Sequence, residues 1–283
     1  MADRRYFLIL PALIVLGFNA FFPILIVLNY SFQKPFAVVP KFMEFGNYID
    51  VLHYPAWWSA LRRNLSFTCA ALAIQLPLGL LLALIIREKT KFATFVSAVI
   101  VLPSLIPFVS VGIVWRLLAM TRGPIPLFLK WFGVNYSLMT PDTAFWTHVA
   151  MDTWHWVSLV FLLLSAGLVT IPDVYYTAAK VDGSTRWQTF RYITLPGLRP
   201  TLILVALLRI IDSFKIYDEN VILTYGGPGR STEFLSLFLV KKGLLEWAGG
   251  FAAAASLIYL FQVIVICFLL IMIVTKGKGL LER

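Results

Sequence analysis

Tyr175-Tyr176-Thr177-Ala178-Ala179-Lys180-Val181-Asp182-Gly183-Ser184-Thr185-Arg186-Trp187-Gln188-Thr189-Phe190-Arg191-Tyr192-Ile193-Thr194-Leu195-Pro196-Gly197-Leu198-Arg199-Pro200 is a basic, polar stretch set between two long apolar segments. It reads as a short helix, a break and a second short helix within a loop over 172–200. Pro172 stands where a helix start tolerates proline, and Asp173 can cap that start. Ala178 and Ala179 present almost no side chain, and Gly183 can stop the helix or let another backbone approach closely. Lys180, Arg186, Arg191 and Arg199 keep the segment out of the bilayer, while Trp187, Phe190 and Tyr192 add aromatic area. A protruding helix of this kind suits docking into a groove on another protein. The plainer alternative is an amphipathic helix lying on the membrane surface.

The apolar segments on either side belong to a wider pattern. The chain has 283 residues, 60% of them hydrophobic and 13% charged, which places it outside the range of soluble domains. Apolar runs of about 20 residues, the length needed to cross a bilayer, occur at 6–30, 64–86, 93–119, 143–169, 201–224 and 251–275. The expectation is an all-α integral membrane protein with six transmembrane helices, in one transmembrane domain over 1–283 with no separate soluble domain. The net charge of +10 is scattered among short loops, which fits membrane topology and not nucleic-acid binding. Arg4 and Arg5 put the N-terminus in the cytoplasm by the positive-inside tendency, and six spans return the C-terminus there. The first run is too long for a signal peptide, and Phe18-Asn19-Ala20 is a poor cleavage site. On this topology the inside segments carry Arg87, Lys89, Lys91, Lys276, Lys278 and Arg283 besides the basic loop. The outer loops are also basic, so the charge bias is modest. Cys69 and Cys267 lie within spans without ligand spacing and read as packed thiols, with no disulfide framework.

Polar residues inside the spans are the candidates for function. Trp57-Trp58 before the second span fits an interface belt better than a ligand contact. Gln75 and Pro77, then Pro103, Pro107 and Arg116, mark the second and third spans as breakable, because proline frees backbone carbonyls that only neighbouring helices or a cavity can satisfy. His148, Asp152 and His155 recur at four and three residues, on one helix face. They could suggest a metal site or a membrane-embedded hydrolase, but one helix face supplies too few ligands and no nucleophile pattern accompanies them. A polar cavity lining or interhelical hydrogen bonds explain them better. Trp154 and Trp156 flank them as platforms for the apolar faces of a sugar. The fifth run holds Arg209, Asp212, Lys215, Asp218 and Glu219, and charges there are costly unless paired or hydrated. Arg209, Asp212 and Lys215 fall on one stripe, open to intrahelical pairing or to a substrate pathway. After it, Tyr225-Gly226-Gly227-Pro228-Gly229 forms a tight turn, without the glycine and Lys-Ser/Thr spacing of a nucleotide loop. Gly249, Gly250 and Ala252 to Ala255 offer a surface for close helix packing.

The order Ala178-Ala179, three residues, Gly183, nine residues, Ile193, one residue, Leu195-Pro196 resembles the coupling loop, or EAA motif, of permease subunits of ABC importers. Leu223-Thr224-Tyr225-Gly226-Gly227-Pro228-Gly229 is similar to a second segment of the carbohydrate-type permeases, with Tyr225 replacing a glycine common there. Together with the six spans, the likeness covers nearly the whole chain and points to the maltose and glycerol-phosphate type. The resemblance implies the type I ABC importer permease fold and alternating access, with Thr177, Ala178, Ala179, Asp182, Gly183, Ile193, Leu195 and Pro196 coupling to an ATPase. Thr177 stands where the family usually has glutamate, which argues for a non-identical partner permease. The implied partners are that permease, two ATPase subunits carrying ATP and Mg, an extracytoplasmic solute-binding protein, membrane lipid and a sugar or sugar derivative. This chain would bind no cofactor, do no catalysis and sit in the bacterial cytoplasmic (inner) membrane. The rivals are a membrane-embedded enzyme using His148, Asp152 and His155, and a passive channel, for which a coupling loop would be pointless.

Overall fold

The computed structural model describes residues 5–34, 41–86 and 90–276. Arg4, Arg87, Lys89, Lys278 and Arg283, on which the topology argument partly rests, lie outside the described residues, as do the side chains of Arg5 and Lys276. The helices are α1 (Arg5–Ser31), α2 (Gly46–His53), α3 (Pro55–Ile85), α4 (Lys91–Val101), α5 (Phe108–Ala119), α6 (Pro124–Trp131) and α7 (Pro141–Val169). They continue with α8 (Asp173–Val181), α9 (Arg186–Thr189), α10 (Leu195–Phe214), α11 (Asp218–Leu223), α12 (Leu235–Val240) and α13 (Gly249–Lys276). A two-residue antiparallel ladder, Gln33–Lys34 with Lys41–Phe42, follows α1. Among the described residues five helices are long and apolar enough to cross a membrane, and a sixth span results if the pair Lys91–Leu105 and Phe108–Ala119 is taken together.

The spans differ from the hydropathy runs in two places. The third is bent by 98°. Pro103 sits in a 3-10 turn (Leu102–Leu105) and Pro107 caps α5, so neither proline donates a backbone hydrogen bond at the break. Pro77, by contrast, is carried inside an unbroken α3. The helix that carries the fifth run is continuous over Arg186–Phe214, so it begins before the run of 201–224 and ends before it. A π-helical turn at Phe190–Thr194 joins α9 to α10, so what reads as a second short helix leads without a break into the long apolar helix. At the other end Lys215 caps α10, and Asp218 and Glu219 begin the separate α11.

Two compact units emerge, Met1–Ser59 with Phe238–Ile264 and Ala60–Leu237 with Val265–Arg283. In the first, Trp57 is fully buried and meets Phe238 edge-on at 6.1 Å, so it is a core residue and not an interface marker. Trp58 is exposed and donates to the Leu52 carbonyl. Ala252 to Ala255 are buried within the chain, which favours intrachain packing. Lys242 donates to Tyr54 Oη at 2.9 Å and Glu246 Oε2 at 2.5 Å. Burial alone would lower the Lys242 ammonium, but those two partners outweigh it and hold its pKa above the ordinary lysine value.

In the second unit, Val160, Phe161, Leu164 and Leu168 of α7 pack with Ala83 of α3 and Leu198 and Val205 of α10. Val111, Ala119, Met151 and Leu223 join α5, α7 and α11. Gly112 makes the α5–α11 approach possible: a Cβ there would fall 2.8 Å from Ile222 Cβ and 3.1 Å from the Glu219 backbone. Arg116 fastens the same pair by donating to the Ile222 carbonyl at 3.0 Å. Cys69 is an exposed thiol on α3 and not a packed one; Cys267 is half-buried.

Candidate functional site

Two constellations, both in the second unit, carry the sequence candidates. The first is the α8 segment. Pro172, not Asp173, is its N-cap, and no side chain caps that end. Thr177 Oγ1 turns back to the Asp173 carbonyl at 3.1 Å, and its side chain is otherwise exposed. Ala179 is buried while Ala178 is exposed, so one alanine seats the helix and the other lies on its outer face. Tyr176 Oη meets Thr194 Oγ1 at 3.2 Å and ties α8 to the start of the next span.

The end of α8 is fixed by backbone geometry. Asp182 caps it, the Gly183 amide donates to Lys180 O at 3.2 Å, and the Ser184 amide donates to Ala179 O at 2.9 Å. This is a Schellman stop, and Gly183 takes the left-handed conformation it needs, with φ +69°. Among the described residues nothing beyond its two chain neighbours lies within 4 Å of a Cβ built on Gly183, so the glycine serves φ and not a close approach to them. Thr185 and Gln188 then form a capping box that restarts the helix. Ile193 packs against the α3–α7–α10 core, whereas Leu195 and Pro196 are exposed.

The second constellation is a polar core. Arg209 of α10 donates from Nη2 to Asp152 Oδ2 of α7 at 2.7 Å, with the two side chains only 1% and 2% exposed. Arg209 Nε donates to Gln75 Oε1 of α3 at 2.7 Å, and Gln75 Nε2 donates to the same Asp152 oxygen at 2.6 Å. Three helices are thus joined by one closed set of charge-assisted bonds. The guanidinium also lies 4.5 Å above the Trp156 ring, while its Nη1 is buried without a hydrogen-bond partner.

Beside it, His148 places Nδ1 2.8 Å from the Ala144 carbonyl and Nε2 2.9 Å from Asn220 Oδ1. Asn220 Nδ2 donates to the Thr232 carbonyl, and Thr232 Oγ1 donates to the Gly227 carbonyl at 2.8 Å. The Gly-Gly-Pro turn is therefore anchored on α7 through α11. Within it Tyr225 takes φ +54°, a left-handed conformation uncommon for a residue with a side chain.

The expected groupings are rearranged. His148, Asp152 and His155 do share a buried face, but each has different company: His155 packs against Phe108 at 5.2 Å and Trp156 at 5.5 Å. Among the described residues no group of three or more His, Cys, Asp and Glu side chains could hold a metal. Trp154 points elsewhere, remains partly exposed and meets Trp115 at 6.3 Å. The Arg209, Asp212 and Lys215 stripe divides, because Arg209 pairs across helices. Asp212 and Lys215 form a loose pair at 3.8 Å, with Lys215 70% exposed. Sequence reading named Gln75 only as a polar residue in a span and missed Asn220 and Thr232 entirely.

The family model described as "Binding-protein-dependent transport system inner membrane component" matches residues 75–277. The trehalose/maltose transport system permease protein MalF of Thermococcus litoralis is 31% identical over 275 residues, covering 95% of this chain and 92% of that protein. The arabinooligosaccharides transport system permease protein AraP of Bacillus subtilis is 29% identical over 274 residues, covering 94% and 87%. Among solved structures, a chain of a bacterial ABC transporter involved in the import of the acidic polysaccharide alginate superposes with a TM-score of 0.81 at 21% identity. That superposition covers 96% of this chain and 94% of that one.

Proposed function

We propose, from the premise that this chain belongs to the family of binding-protein-dependent transport system inner membrane components, that it is a permease subunit of an ATP-driven ABC importer for a sugar or sugar derivative. The sugar class follows the trehalose/maltose and arabinooligosaccharide relatives. The family comprises transport components, which removes the enzyme reading of His148, Asp152 and His155. The observation that carries the reading is α8 itself: an exposed helix, stopped by left-handed Gly183, between candidate spans inside the matched region.

In this reading α8 docks on an ATPase subunit through Thr177, Ala178, Asp182 and Gly183. Ala179, Ile193, Leu195 and Pro196 pass the movement to α10. ATP and Mg reside on the ATPase subunits, and this chain holds no cofactor of its own. A second, non-identical permease completes the pathway, and a solute-binding protein delivers the sugar from outside. The chain lies in the cytoplasmic membrane with both termini and α8 on the inner side. Trp154, Asp212 and Lys215, which retain exposure, border the sugar pathway. Arg209, Asp152, His148 and His155, which are buried, hold the helices that wall it. Turning such a two-state assembly from mostly inward to mostly outward takes about 5.5 kcal/mol of differential binding, which nucleotide and loaded binding protein supply together.

The test is to purify the tagged chain from its own membrane in mild detergent, identify its companions, and measure sugar uptake. An ATPase and a second permease are expected. Gly183→Ala, forced into left-handed φ at about 1–2 kcal/mol, is expected to lower uptake while the complex still forms. A chain that repeatedly purifies alone would overturn the assignment.

A further inference from the structure

The start of α3 is stitched to the segment that follows the Gly-Gly-Pro turn. Arg63 Nε donates to the Glu233 carbonyl at 3.1 Å, and the Leu235 amide donates to Asn64 Oδ1 at 3.3 Å. Among the described residues the charges that act on the Arg63 guanidinium are those of Glu233, Arg230 and Arg62, so three cations share one carboxylate. That carboxylate does not use them up. Glu233 is 5% exposed and its Oε1 stands 4.0 Å from Arg230 Nε, beyond hydrogen-bond length, while Arg230 is 63% exposed. Arg62 is exposed and, among the described residues, forms no hydrogen bond or ion pair. Arg63 Nη2, Asn64 Nδ2 and Ser231 Oγ are buried without a partner, so the seam is short of acceptors. With its 31 residues α3 is about 46 Å long, against about 30 Å for a hydrocarbon core, and its apolar run begins only at 64. Arg62 and Arg63 thus belong to the part that projects. The 230–235 segment lies between the candidate spans Arg186–Phe214 and Gly249–Met272, and the first of these separates it from α8, which puts the three arginines on the membrane face opposite α8.

We propose that Arg62 and Arg230, with the half-buried Arg63 adding its charge beside them, form a docking site for acidic side chains of the solute-binding protein. This rests on the reading above, in which α8 meets the ATPase on the inner side and the opposite face receives the binding protein. Arginine suits the task, because its planar fork matches a carboxylate with two parallel hydrogen bonds and is less strongly hydrated than an ammonium. Complementary charge across an interface speeds encounter and fixes the docked orientation. A dissolved monocarboxylate gains little from two exposed cations, since water screens each pair, whereas a docked protein excludes that water. The segment that carries Arg230 is also braced: the Thr232 carbonyl accepts from Asn220 Nδ2, and Asn220 Oδ1 meets His148 of α7. The site therefore stands on a fixed base and needs little ordering when the partner arrives.

The experiment titrates the intact purified complex, in nanodiscs of neutral phosphatidylcholine, with the solute-binding protein from the same cells in its solute-bound form. Arg62→Gln with Arg230→Gln is expected to weaken that affinity about 30-fold, the equivalent of about 2 kcal/mol, and to flatten its dependence on salt. Lys130→Gln, which removes an exposed cation outside the patch, is expected to leave both unchanged. Arg230→Lys, treated with a carbodiimide that joins amines to carboxylates, is expected to link to the binding protein through position 230. Three results, each with the ATPase subunits still bound, would overturn the docking site and leave the importer reading standing. One is an unchanged affinity in the double variant. Another is an equal loss in Lys130→Gln, which would reveal a general charge effect. The last is slower uptake in the double variant with undiminished affinity for the binding protein, which would put the arginines on the path of an acidic solute instead. A chain that purifies without ATPase subunits would overturn the importer reading itself, and the docking site with it.

Discussion

Replacing Asp152 by asparagine is expected to cost the folded chain about 3–5 kcal/mol, because it removes one member of a buried ion pair and leaves the other. Asp152 Oδ2 stands 2.7 Å from Arg209 Nη2, with both side chains almost wholly withdrawn from solvent. At an effective dielectric constant of about 20 the attraction at that distance is about 6 kcal/mol. Each buried ion has lost several kcal/mol of hydration, so the pair as a whole is close to neutral in its net effect. The variant keeps the penalty of the guanidinium and discards what offset it. The Trp156 face, 4.5 Å away, and Gln75 Oε1 return only part of the loss. The assay is equilibrium unfolding in one detergent for wild type, Asp152→Asn, Arg209→Met and the double variant. The double variant, with both charges gone, is expected to be more stable than Asp152→Asn. If Asp152→Asn costs under about 1 kcal/mol, or if the two single effects simply add, the reasoning fails.

Asp212→Ala should change stability by less than about 0.5 kcal/mol, since its pair with Lys215 is loose and solvated. It should nevertheless slow sugar uptake, and an unchanged rate would remove Asp212 from the pathway. Gly112→Ala places a methyl group 2.8 Å from Ile222 Cβ and 3.1 Å from the Glu219 backbone, an overpacking expected to cost about 1–3 kcal/mol. A melting midpoint equal to wild type would mean that α5 and α11 part without penalty.

Hydropathy revealed the spans because a bilayer imposes length and polarity on any crossing helix. The helix of the fifth run begins earlier than the run itself, because helix formation does not stop where apolarity does. Arg186 to Leu195 are polar enough to lie outside a bilayer and yet continue the helix through a π turn. The far end was hidden for the opposite reason: Val221, Ile222 and Leu223 prolong the apolar pattern after the backbone has already broken at Lys215. The bend in the third span was legible in Pro103 and Pro107. Pro77 carries the same signal without a break, so proline marks a permitted bend whose use the surrounding packing decides.

The stop at Gly183 was legible because a helix end has few chemical solutions. The polar core was half legible. Spacing put His148, Asp152 and His155 on one face correctly, but it offered Arg209 the wrong partner. Asp212 is three residues away in sequence, whereas the carboxylate that meets Arg209 is 57 residues away. Asn220 and Thr232 escaped because an amide and a hydroxyl that bond to backbone carbonyls leave no periodic trace.

The Gln75–Asp152–Arg209 set also bears on how the chain enters the membrane. An arginine resists insertion by up to about 2.5–3.5 kcal/mol, the cost at the centre of an isolated helix, and α10 carries one toward its C-terminal end. Its partners are made first: Asp152 precedes Arg209 by 57 residues and Gln75 precedes it by 134. By the time Arg209 leaves the ribosome, both the carboxylate and the amide that receive it can already be in the bilayer, so α10 need never cross as a lone cation. A permuted gene that placed α10 ahead of α3 and α7 would have to insert its arginine unaccompanied.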